Sequence, residues 1–223
     1  VSADPMALID PGLPGATQYD EWATGSLTIS QNPGYPGFPG SAAWPGPIGS
    51  SAPGSGDANL NKVSNGTGGG PYPASSSIYY GGFSADINND GGTLSVTDAT
   101  PLGDLENVVF QIQIGEAWTF DFLDHELPTL SYKDGTVTMP TGEEDVFINT
   151  YLVQWDLSSL GAITDFEIEF TGVQHAQLYQ LRLDQYDEYE MYAVPEPNTF
   201  VLMGTAALGM LFASRRSRKR DRH

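Results

Sequence analysis

Apolar and polar residues alternate with a period of two along much of the chain between residues 77 and 186. In Phe166-Glu167-Ile168-Glu169-Phe170 the alternation is unbroken. One face of that segment therefore belongs to a core and the other, acidic, to water. The same pattern predicts strands at residues 78–80, 83–87, 93–97, 108–114 and 118–122, with Asn89-Asp90-Gly91-Gly92 as a turn. Leu130-Ser131-Tyr132, the turn Lys133-Asp134-Gly135 and residues 136–139 read as a hairpin. Three longer runs, 146–156, 165–170 and 176–184, complete the set. Short strands separated by polar turns predict an all-β fold, an antiparallel β-sandwich that is jelly-roll-like in its preferred version.

The N-terminal third is patterned differently. Residues 1–23 show little periodicity, and Gly25-Ser26-Leu27-Thr28-Ile29-Ser30 alternates as a strand would. Residues 33–73 are rich in Gly, Pro, Ser and Asn, which disfavours helix and central strand. Tyr35, Phe38 and Trp44 argue against a free linker, so this Gly/Pro-rich region is expected to drape over the domain, with a mobile section near 50–70. The expected organisation is a remnant of a processed N-terminus at 1–3, the draped region at 4–76, the sandwich at 77–193 and a distinct tail at 194–223. Val1-Ser2-Ala3 carries small residues where a signal-peptide cut is made.

Charge sharpens the division. Before residue 194 three basic residues (Lys62, Lys133, Arg182) face 26 acids, leaving −23; from Val194 onward six basic residues face two acids, leaving +4. A body so acidic repels nucleic acid and attracts divalent cations. There is no cysteine, hence no disulfide and no thiolate site.

Residues 200–213 carry no charge, and 197–214 as a helix would reach about 27 Å, against a hydrocarbon core of about 30 Å. Arg215, Arg216, Arg218, Lys219 and Arg220 follow, and such a cluster stays on the cytoplasmic side of an inner membrane. Pro195 and Pro197 keep Val194-Pro195-Glu196-Pro197 extended ahead of this single transmembrane helix. The three parts in this order resemble the PEP-CTERM sorting signal of bacterial envelope proteins. The resemblance implies an exosortase, a membrane-embedded processing enzyme, as partner, with cleavage near Val194–Pro197. It also implies export through the Sec route in a bacterium that makes extracellular polysaccharide. Gln154-Trp155-Asp156-Leu157, the strand 166–170 and the segment from His175 to Leu183 resemble ectodomains of such proteins, which supports the sandwich and no particular chemistry.

Candidate chemistry is sparse. Asp86, Asn88 and Asp90, with Gly91, match the opening of a calcium-binding EF-hand loop. Thr97 stands where the bidentate Glu belongs, and a plain Asn/Asp/Gly turn explains the stretch as well. Asp124-His125-Glu126 in an extended segment would point to alternate faces and could not jointly hold one ion. Tyr35, Trp44 and Tyr72 are candidates for stacking on sugar rings, alongside ordinary packing roles. Neither H-E-x-x-H nor G-x-S-x-G occurs. The expected function is thus a non-enzymatic, exported envelope or matrix protein. A carbohydrate-binding module and a polysaccharide-acting hydrolase are the alternatives.

Overall fold

The computed structural model describes residues 8–52, 56–82, 88–115, 121–133, 135–137, 142–147 and 150–192. Among them the strands are β1 (Thr17–Trp22), β2 (Ile48–Gly49), β3 (Asn59–Asn65), β4 (Tyr72–Pro73), β5 (Ile78–Tyr79), β6 (Asp90–Asp98) and β7 (Asn107–Gly115). They continue with β8 (Thr129–Tyr132), β9 (Gly135–Val137), β10 (Gly142–Phe147), β11 (Thr150–Asp156), β12 (Phe166–Val173) and β13 (Gln177–Tyr186); among the described residues the only helix is a 3-10 turn at Leu123–His125. The fold is all-β. A first sheet runs β10-β11-β7-β13-β5-β4 with β1 also paired to β13, and a second runs β2-β3-β6-β12-β8-β9. Every strand pair is antiparallel.

The period-two reading of 166–170 holds: Phe166, Ile168 and Phe170 are buried, while Glu169 is exposed. Register turns this alternation into rows. Leu60, Val96, Ile168 and Leu130 lie opposite one another across β3, β6, β12 and β8, all fully buried. In the first sheet Val153, Phe110 and Leu183 form the matching row, and the Phe110 and Phe170 rings meet at 5.8 Å between the sheets. Each such side chain removed from water stabilises the fold by about 1.5–3 kcal/mol.

Several expectations are corrected. Residues 25–30 are consecutive turns, because Asn32 Nδ2 donates to the Ser26 and Thr28 carbonyls and leaves them no strand partner. The N-terminal strand is β1 instead, in a stretch without obvious period. The section near 50–70 contains β3, paired on both edges, and Lys62 of β3 donates from Nζ to the Gly40 and Ala42 carbonyls, tying down the preceding loop. Strands β1 to β4 thus build the sheets rather than drape on them. The single run 146–156 is two strands, with Phe147 opposite Thr150. The turn expected at 89–92 is already strand from Asp90. Gly91 is required there, since a Cβ would lie 2.6 Å from the Val173 carbonyl oxygen, and Gly92 takes φ +109°. Residues 83–87 and 118–120 lie outside the described residues.

β7, β11 and β13 are buried on both faces. The outer face of the first sheet must therefore be covered, and the cover is the chain on either side of the sandwich, residues 8–16 and 187–192.

Candidate functional site

Both covering segments are held by glutamine side chains that behave like strand backbone. Gln111 accepts from the Ile9 N–H (3.3 Å) and donates to the Ile9 carbonyl (2.6 Å). Gln154 accepts from the Tyr192 N–H at 2.9 Å and donates through Nε2 to the Glu190 carbonyl at 2.7 Å. The same Nε2 reaches Asn107 Oδ1 at 2.9 Å, and Asn107 Nδ2 approaches the Glu190 carbonyl at 3.2 Å. Asn107 and Gln154 are fully buried, and Tyr192 packs with Leu13 against Val109, Leu152 and Tyr186. Amides suit this role because each offers a donor and an acceptor at one end, as a peptide group does.

Charges are buried in the same sheet. Arg182 grips Asp184 with two nitrogens (Nε at 2.8 Å, Nη2 at 2.6 Å) and lies 4.6 Å from the Tyr19 ring centre. Burial nevertheless outweighs the guanidinium and pushes Asp184 up to about 6. On β1, Asp20 stands opposite Leu183 and points inward, wholly buried. Its Oδ1 accepts from the Ala58 N–H, whereas Oδ2 has no hydrogen-bond partner. Burial pushes Asp20 up to about 6; the Ser50 hydroxyl draws it down and the Asp98 charge raises it further. Asp98, buried and raised by burial, is held by Gln185 Nε2 at 2.6 Å and by the Thr100 N–H.

On the second sheet an open cavity of about 330 Å³ is lined by Thr97, Ser131, Tyr132, Lys133, Asp165 and Glu167, among others. Thr97, Glu167 and Ser131 stand opposite one another on neighbouring strands, with Asn59 beyond Thr97. Strand spacing sets these polar groups about 4.8 Å apart.

Gln154 holds the chain at Glu190 and Tyr192, the latter the last described residue, and residues 193–219 match the family model of the PEP-CTERM protein-sorting motif. The tail is a PEP-CTERM sorting motif. No curated protein and no solved structure matches the chain. The PEP-CTERM motif implies export, membrane anchoring of the C-terminal region before processing, and processing by an exosortase. Val194, Pro195, Glu196 and Pro197 and the cluster Arg215, Arg216, Arg218, Lys219 and Arg220 fall within or beside the match, outside the described residues. Among the described residues no helix is long and apolar enough to cross a membrane; the predicted span at 197–214 is not among them.

The other predicted residues are placed as follows. Asp86 lies outside the described residues. Asn88 exchanges hydrogen bonds with Asp124, and Asp90 Oδ1 accepts from the Gly92 N–H at 2.7 Å, the local turn bond expected of an Asp. Among the described residues no group of three or more His, Asp or Glu is placed to hold a metal ion. Tyr35 and Trp44 meet edge to face at 5.4 Å, with the Tyr35 hydroxyl donating to the Gly46 carbonyl and Trp44 Nε1 to the Pro71 carbonyl. Tyr72 is buried and belongs to a separate ring chain with Phe38 and Tyr79. The three do not form one flat platform. His175, at φ +72°, bonds the Tyr79 hydroxyl through Nδ1 at 2.7 Å. Asn107 and Gln111 were not singled out by the sequence, and Gln154 entered only within the Gln154–Leu157 resemblance, with no holding role. The available signal was amides, rather than charges, on the polar side of otherwise apolar strands.

Proposed function

We propose that this is an exported, non-enzymatic cell-envelope or extracellular-matrix protein, carried by a jelly-roll-like sandwich and delivered by its tail. Residues 197–214 form a transmembrane helix that anchors the chain in the inner membrane with Arg215–Arg220 on the cytoplasmic side. An exosortase then cuts near Val194–Pro197. The observation that carries this reading is the motif match over residues 193–219. The passage of β6, β7 and β8 from one sheet to the other and back supports the jelly-roll-like description. Intact-mass analysis of the protein recovered from its own host tests the core of the reading. The mature chain should end near Val194–Pro197; recovery of chains still carrying Arg215–Arg222 would reduce the tail to a permanent anchor.

A second reading, carbohydrate binding, is favoured by the polar cavity on the second sheet. Tyr132 contributes an aromatic side chain to the lining, and Thr97, Ser131, Lys133 and Glu167 supply the mixed donors and acceptors that sugar hydroxyls use. Asp165 and Glu167 oppose anionic glycans, so the ligand class is a neutral extracellular polysaccharide. Affinity electrophoresis in gels of neutral and of uronate-rich glycans tests it: retardation by the neutral set supports binding, and equal mobility in all gels removes it.

A further inference from the structure

The residues on the N-terminal side of a cut near 194–197 are those the Asn107–Gln154 pair holds. Gln154 occupies the Tyr192 N–H and the Glu190 carbonyl. These are groups that a processing enzyme binding an extended substrate strand would pair with. Tyr192, the last of them, is half-buried against Val109, Leu152 and Tyr186. The motif match begins at the next residue. Three residues of fully extended chain, from Tyr192 to Pro195, reach at most about 11 Å. No spare linker separates the held chain from the cleavage element, so clamp and enzyme compete for one stretch of backbone.

We propose that the Asn107–Gln154 clamp regulates processing of the sorting motif, and that cleavage requires residues 190–192 to leave the outer face of the first sheet. The proposal rests on the reading of the tail as an exosortase-processed anchor. Detachment of a chain segment from a sheet face is the least costly kind of local opening. An enzyme that acts only on the open form works at a rate reduced by the open fraction. The clamp thereby ties maturation to folding: an unfolded domain offers no Gln154 partner, and a folded one holds the residues just before its own cut site.

The test uses the full chain expressed in its host, with cleavage followed by pulse-chase. Gln154→Leu removes both strand-like bonds and should speed cleavage by about tenfold or more, equivalent to roughly 1.4 kcal/mol of closed-state preference. A second variant inserts eight Gly/Ser residues between Tyr192 and Ala193, adding a reach of about 26–29 Å with the clamp intact. It should speed cleavage similarly, and adding Gln154→Leu to it should have no further effect. Hydrogen exchange on the purified chains should show the Tyr192 amide protected in the wild type and unprotected in Gln154→Leu, with β7, β11 and β13 protected in both. If Gln154→Leu loses that strand protection, the insertion decides alone. Cleavage of either well-folded variant at or below the wild-type rate overturns the clamp. Failure of the wild type itself to be cleaved refutes the reading of the tail on which the clamp depends.

Discussion

Replacing Asp20 by Asn should stabilise the protein at neutral pH and leave it nearly unchanged near pH 4. Asp20 is fully buried, faces the core beside Leu183, and carries an oxygen without a hydrogen-bond partner. Its carboxyl is raised from 3.8 to about 6, chiefly by burial. A raised acid binds its proton more tightly in the folded state, so its contribution is greatest below the unfolded value. It is lost as pH climbs from about 4 through about 6. At about 1.36 kcal/mol per unit the ceiling is about 3 kcal/mol. Relaxation around the charge brings the expected effect to about 1–2 kcal/mol. Asn keeps the oxygen that accepts from Ala58 and carries no charge at any pH. In a domain of this size the gain corresponds to roughly 3–6 °C in Tm at pH 7. Thermal unfolding of both proteins at half-unit steps from pH 4 to pH 7.5 measures it. The general acid response of an anionic protein, including that of Asp184, largely cancels in the difference, whereas Asp98, coupled to Asp20 by charge, contributes to the gap with the same sign. A gap that is absent at pH 7, or as large at pH 4 as at pH 7, would refute the reasoning.

Gly56 sits against the same carboxyl, and a Cβ there would lie 2.0 Å from Asp20 Oδ2. Gly56→Ala should therefore cost about 1–3 kcal/mol in denaturant titrations. Arg182→Leu strands the buried Asp184 and should cost about 3–5 kcal/mol at pH 7. The loss should shrink toward pH 5 as Asp184 takes up a proton. Millimolar calcium should raise the Tm of wild type and Asp90→Ala equally, and magnesium should do the same, because Asp90 already caps Gly92; a calcium-selective rise lost in the variant would restore the loop as a metal site. Alanine at Pro195, Glu196 and Pro197 should leave membrane insertion intact and abolish cleavage, as fractionation and immunoblotting would show.

Strands were legible either as clean alternation with one wet face or, for β7, β11 and β13, as long runs rich in apolar or β-branched residues. β12 shows its core side as Phe166, Ile168 and Phe170 because Glu167 and Glu169 meet solvent. β3 was hidden because Leu60 is its one fully buried side chain. β1 was hidden because its inward pair is Asp20 and Trp22, and an inward Asp breaks the apolar pattern. The sorting motif was legible, since its order of prolines, apolar run and arginines is local. The clamp was not. That Gln154 meets Glu190 and Tyr192 depends on where the chain returns after β13, which no periodicity encodes.

The order in which strands arrive follows from the place of β13. It is the last strand of the sandwich, yet it lies inside the first sheet, with β1 on one edge and β7 on the other. A chain threaded outward from its N-terminus thus waits with an open slot between β1 and β7. The slot is filled only when β13 itself has emerged, after every other strand of the first sheet. Until then the exposed strand edges are open to chaperones and to neighbouring chains. Closure of the first sheet therefore waits for the C-terminal end of the sandwich.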